Sequence, residues 1–243
     1  MCLAFIGRDC VDWQASLCAE RETRSPAGNR RPTLGWINSA GDCPFMTHAN
    51  HRTADHTIDP LFLERWSPRA YDGSALEEAE LMSLLEAARW APSSYNVQPW
   101  RFIYARRGTA GWEGLLGLLI PNNASWAGQA GALLLLASDT LMQPPGASEA
   151  KPSHSHSADA GAAWAQLALQ ATRLGLQAHG MVGFDLERAR SELGIPDRFR
   201  IEMMIAVGRQ GDKAILPEAL QAREHPNTRN PVSHFGFEGR WQG

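Results

Sequence analysis

Apolar side chains recur along this chain on two different periods, and the changes between them mark out its elements. Leu81, Leu84, Leu85 and Ala88 share one face of a 3.6-residue period. The sequence therefore predicts a helix opened by a Ser74/Glu77 capping box and stopped at Ala91, before Pro92. Asp59-Pro60 ahead of Leu61, Phe62 and Leu63 reads as a cap followed by a first-turn proline, predicting a short helix that delivers Arg65 at its end. The Ala-rich stretch from Ser157 to Leu174 predicts a long helix closed by Gly175, whose freedom to take positive φ suits a helix C-terminus. Trp112 to Leu119 and Leu186 to Leu193 predict further helices, the second halted by Gly194 and Pro196.

Strands are predicted over Arg101–Ala105, Ile201–Val207 and Ala132–Ser138, the last an unbroken apolar run that fits full burial. A short segment ends at Gly183, and the Pro/Ser/His-rich piece from Gln143 to Ser157 reads as an exposed loop. This order lacks the regular strand–helix alternation of a doubly wound sheet, and neither GxGxxG nor GxxxxGK(S/T) occurs. The predicted fold class is α+β.

Composition narrows the function classes. The chain has 243 residues, 44% hydrophobic content and a net charge of -3, ordinary for a globular protein of one large domain or two small ones. Its arginines are scattered rather than gathered into a basic stripe, so nucleic acid is not an expected partner. No apolar run approaches the roughly 20 residues that cross a bilayer. Neither a secretory nor a twin-arginine signal is recognisable, so the expectation is no membrane and a cytoplasmic location. All four cysteines precede Met46, in a segment without sustained periodicity. Residues 1–45 are accordingly expected to be an irregular or disordered leader, or the product of a start assigned before Met46, the second being preferred. Residues 46–243 form the expected functional domain.

Two clusters carry candidate chemistry. Arg65-Trp66-Ser67-Pro68-Arg69 puts two guanidiniums and a hydroxyl at a helix-to-loop junction, where planar forks and a short donor suit phosphate oxygens. A solvated polar turn would account for the same residues. Pro92-Ser93-Ser94-Tyr95-Asn96-Val97-Gln98-Pro99-Trp100 concentrates amides and hydroxyls between prolines, offering donors and acceptors to a planar heterocycle. An Asx-type turn joining two elements is the alternative there. His154 and His156 have no carboxylate or cysteine beside them in sequence, so a metal is not expected. GxSxG is missing, and no Ser-His-Asp order is recognisable.

Arg-x-Ser-x-Arg followed by Pro-Ser-Ser-x-Asn-x-Gln-Pro-Trp resembles the FMN-dependent nitroreductases. Gly180-Met181-Val182-Gly183-Phe184-Asp185 and Arg229-Asn230-Pro231 look like two later motifs of that family, in the same order. The likeness spans about Leu61 to Val232. It implies a three-layer α-β-α fold with a central mixed sheet, in an intertwined homodimer with FMN at the interface. It further implies that Arg65, Ser67 and Arg229 hold the FMN phosphate and that Arg69 lies near flavin N1 and the C2 carbonyl. A fixed cation there favours the more negative, reduced flavin and raises its potential. Pro92, Ser93, Ser94, Asn96 and Gln98 would come from the partner subunit. Gly180, Met181, Val182 and Gly183 would lie along one flavin face, with Asn122 or Asn123 near the pyrimidine edge.

The implied reaction is ping-pong: NADH or NADPH gives hydride to flavin N5, and a small acceptor such as a nitroaromatic or quinone then enters the same pocket. A specialised relative using oxygen or modifying flavin is one alternative; a non-catalytic flavin-binding sensor or FMN store is another. The chain departs from the family pattern at Trp66, where relatives often have a basic residue, and at Asn227, where some have a phosphate-binding lysine. Val182 also replaces an acidic residue found in some members, and the connection from Gln143 to Ser157 is short.

Overall fold

A computed structural model describes residues 50–242; the expected leader and its boundary at residue 45 lie outside them. Asp59 Oδ1 accepts the Leu61 amide at 2.8 Å and opens helix α1 (Leu61–Glu64), whose C-cap is Arg65, as the Asp-Pro signal predicts. Helix α2 spans Glu78–Arg89 and buries Leu81, Leu84 and Ala88. Its capping box lies three residues later than predicted: Glu77 N–H donates to Glu80 Oε2 at 2.9 Å, while the Ser74 hydroxyl turns back on Asp72. The helix ends before Ala91 because Trp90 and Ala91 close into tighter turns on Ala87 and Ala88.

Strand β1 (Trp100–Arg106) is followed by two helices where the sequence predicts one. Helix α3 (Trp112–Gly117) stops early, and α4 (Pro121–Ala127) restarts with its proline in the first turn, where the missing N–H costs nothing. Then come β2 (Ala132–Asp139), β3 (Leu141–Met142) and β4 (Lys151–Pro152). β4, inside the predicted loop, pairs with β3 just ahead of it. The rest comprises α5 (His156–Arg173), β5 (Gln177–Met181), α6 (Leu186–Glu192), β6 (Phe199–Gly208) and the short α7 (Glu218–Gln221). Gly175 takes φ 73° just past α5, as its predicted closing role requires.

The main sheet has the order β1-β2-β6-β5. Each of its pairings is antiparallel, which corrects the expectation of a mixed sheet within the described chain. The helical connection from β1 to β2 returns the chain to the end it left, so neighbouring strands run oppositely. Every residue of β2 is buried because helices cover both faces. Leu133 and Leu135 pack with Trp112, Leu115 and Trp126 of α3 and α4. Leu134 and Leu136 pack with Leu81 and Leu84 of α2 and with Ala163 and Leu167 of α5. These two cores sandwich the sheet and establish the three-layer α-β-α architecture.

A register shift beside Leu136 leaves Glu202 unpaired in β6. Its carboxylate accepts the Ser138 and Ser157 hydroxyls at 2.5 and 2.7 Å, fixing the start of α5 against the sheet. Among the described residues, no helix is long and apolar enough to cross a membrane.

Candidate active site

Arg65 stands at the C-cap of α1, where the chain turns from helix to extended backbone, and its Nη1 donates to Ser67 Oγ at 3.3 Å. Arg229 reaches the same place from the C-terminal segment and donates to the Thr228 carbonyl at 2.9 Å. A third guanidinium, Arg52, joins the two segments: Nε donates to the Asn227 carbonyl at 2.6 Å and Nη1 to the Arg65 carbonyl at 2.9 Å. Arg52, Arg65, Arg69, Arg223 and Arg229 line one cavity of about 320 Å3, together with Ser67, His179 and His225. Burial and then the Arg229 charge push the Arg65 guanidinium below its ordinary pKa. Arg52 is lowered by burial and then by Arg229 and Arg65. Only Arg69 among these arginines has a carboxylate partner within the described residues, Glu224 at 3.9 Å. Crowded, partly desolvated cations of this kind gain most from a multivalent anion.

A second cavity of about 500 Å3 shares Arg65 and Ser67 with the first and is otherwise mainly apolar, lined by Phe62, Trp164, Met203, the Gly180–Met181 end of β5 and Val182 just past it. The next residue fixes that strand end. The Gly183 carbonyl accepts the Ile120 amide at 3.2 Å and Asn123 Nδ2 at 3.0 Å. A Cβ on Gly183 would lie 2.6 Å from Asn123 Nδ2 and 2.8 Å from Ile120 Cδ1, so any larger residue must displace these side-chain ends. Of the two candidate asparagines, Asn123 is committed to holding this segment, whereas Asn122 is exposed.

His179 precedes these residues on β5. Its Nδ1 lies 2.8 Å from the Pro68 carbonyl, which can only accept, so Nδ1 carries the proton. Burial, with the Arg69 and Arg65 charges adding to it, pushes the His179 pKa down to about 4, against a partial upward pull from its backbone hydrogen bonds. The ring is neutral at pH 7 and packs on Trp126 with centroids 4.6 Å apart.

The predicted amide loop is shaped but stands apart from both cavities within the chain. Tyr95, Asn96 and Gln98 take φ of 49°, 54° and 51°, a concentration of left-handed, non-glycine backbone that surrounding bonds must hold. Gln98 N–H donates to Ser93 Oγ at 3.0 Å, and Ser94 N–H to the buried Asp159 carboxylate of α5 at 3.3 Å. Arg65, Ser67, Arg69, Arg229 and Gly180 to Val182 thus meet at the two cavities. Pro92, Ser93, Ser94, Asn96 and Gln98 line neither, and Gly183 supports the site from behind.

A family model described as Nitroreductase family matches residues 63–116 and 118–209. This chain belongs to the nitroreductase family. A crystal structure of an oxidoreductase containing FMN is similar at 46% identity and a TM-score of 0.77, covering 82% of this chain and 100% of that one. A protein named NADH dehydrogenase from Thermus thermophilus is 31% identical over 172 residues, 60% of this chain and 83% of its own. An uncharacterized 15.4 kDa protein of Mycolicibacterium smegmatis is 38% identical over 152 residues, 58% of this chain and 97% of its own.

In this nitroreductase-family chain, the two departures from the basic pattern have structural counterparts. Trp66 is buried and anchors the loop between Arg65 and Ser67 instead of adding charge. At Asn227 the backbone carbonyl receives Arg52, whose guanidinium lines the same cavity. Arg52, His179, Arg223 and His225 escaped the sequence reading. Arg52 precedes the first periodic element, and the other three sit outside any recognisable motif; a basic residue shortly before α1 is the one signal available.

Proposed function

We propose that this chain is an FMN-dependent oxidoreductase that acts as a cytoplasmic homodimer, taking hydride from NADH or NADPH and delivering it to a small acceptor such as a nitroaromatic or quinone. The observation that carries this reading is the junction at Arg65 and Ser67 of an anion-seeking cavity and an apolar one. A ligand with a phosphate at one end and a flat ring at the other matches both halves of that donor set. The FMN-containing relative and the one named NADH dehydrogenase support the choice of flavin and of a nicotinamide donor.

In this reading Arg65, Ser67 and Arg229 hold the phosphate, with Arg52 completing the charge. Arg69 faces the pyrimidine side of the ring, and the backbone from Gly180 to Gly183 follows one ring face. Pro92, Ser93, Ser94, Asn96 and Gln98 of a second copy provide amide and hydroxyl partners at the edge. When bound, FMN supplies the two-electron chemistry, accepting hydride from the nicotinamide and passing it to the acceptor. The protein's part is to position both substrates in turn and to set the electrostatics.

Titrating flavin-free protein with FMN tests the assignment. Binding should saturate at one FMN per chain on a species of twice the chain mass. Arg229→Ala should weaken it by about tenfold to a hundredfold, the loss of one charge-assisted contact. Unchanged affinity in that variant would remove Arg229 from the phosphate site.

A further inference from the structure

We propose that Glu224 sets the reduction potential of the bound flavin by drawing part of the Arg69 charge away from the ring. It is a positioning residue that acts through Arg69, and the inference rests on the FMN reading above.

Glu224 follows α7 and is buried, with its side chain only 1% exposed. Oε1 is fully used, accepting the Arg69 amide at 2.6 Å and the Ala70 amide at 2.8 Å. From the other side, His179 Nδ1–H donates to the Pro68 carbonyl at 2.8 Å. The backbone that carries Arg69 is therefore clamped between two elements, and the side chain is what remains free to move.

The second carboxylate oxygen has a different status. Oε2 is buried and has no hydrogen-bond partner. The nearest cation is Arg69 Nη1 at 3.9 Å, within Coulomb range but beyond a hydrogen bond. Leaving a buried charged oxygen unmatched is costly, so its persistence here calls for a role. With the backbone fixed, the guanidinium lies near the carboxylate and lines the cavity of about 320 Å3. Negative charge added to a ligand in that cavity attracts the guanidinium, while Glu224 opposes the transfer. The carboxylate thus makes flavin reduction less favourable than Arg69 alone would, and removing its charge raises the potential.

Glu224→Gln is the direct test, because the amide oxygen still receives the Arg69 and Ala70 N–H groups while the charge is lost. With FMN bound, spectroelectrochemistry should show a more positive midpoint. A tenfold gain in the preference for reduced over oxidised flavin corresponds to about 30 mV for a two-electron couple. Arg69→Gln should lower the midpoint, and the double variant Arg69→Gln/Glu224→Gln should match Arg69→Gln, because Glu224 acts through Arg69. A purely structural Glu224 would leave the midpoint of Glu224→Gln unchanged, and that result, with flavin retained, overturns the inference alone. Where Glu224→Gln does not retain flavin, a double variant whose midpoint differs clearly from that of Arg69→Gln overturns it equally. Wild-type protein that takes up no FMN would overturn the functional reading and this inference together.

Discussion

Arg52, Arg65 and Arg229 are held together by carbonyls, through bonds that leave their mutual repulsion in place. Arg52→Ala should therefore weaken FMN binding by about tenfold or more, as a lost charge-assisted contact does, without lowering the melting temperature of the flavin-free protein through lost charge pairing. Equal FMN affinity, measured by fluorescence titration, would show that Arg52 does not serve the phosphate. His179 gives a pH signature of definite sign. Its pKa is about 4 in the fold against an ordinary 6.5, so between these values the unfolded chain binds more protons and stability rises with pH. Thermal melts should show stability falling as the pH drops through that window, and His179→Gln should flatten the dependence. A variant with the wild-type slope would rule out His179 as its source. Arg65, Ser67 and Arg69 were legible because they are neighbours in sequence with one shared purpose. Arg52 was not, because only tertiary packing carries it from before α1 to the Asn227 carbonyl.

At the scale of elements, apolar runs told the truth about burial and less about boundaries. β2 was legible as a fully buried strand because its unbroken apolar run serves two cores at once. The helix predicted over Trp112–Leu119 runs two residues past the end of α3 because Leu118 and Leu119 continue its apolar run, and α4 was not legible although Pro121 marks a new first turn. The Ser74/Glu77 spacing competed with a second acceptable pair at Glu77/Glu80, and the Asp72 carboxylate drew Ser74 away. Gly183 is where elements and site meet, since its carbonyl ties β5 to the start of α4. Gly183→Ala would press a methyl against Asn123 and Ile120. It should cost about 1 kcal/mol of stability, the low end for overpacking because both neighbours are side-chain ends that can shift, and loosen flavin binding with it. Denaturant unfolding at wild-type midpoint would show that the segment yields freely.

For the whole molecule, the amide loop poses the main question, because its five candidate residues line neither cavity of their own chain. If a second copy supplies them, mixed dimers of Arg229→Ala and Asn96→Ala chains contain one intact site and one doubly damaged site. They should then bind one FMN per dimer tightly, although neither parent dimer does. If the loop serves its own chain, mixing restores nothing. Removing the residues before Met46 should leave melting temperature and FMN uptake unchanged, and loss of either would make the leader part of the working protein. The most direct measurement of the central claim is the visible spectrum of the purified protein under anaerobic conditions, before and after NADPH and then NADH. The account predicts a yellow, FMN-bearing protein bleached by at least one nucleotide and restored by a quinone. Bound flavin that neither nucleotide reduces would contradict the reductase assignment, and no flavin even after reconstitution with FMN would contradict the site itself.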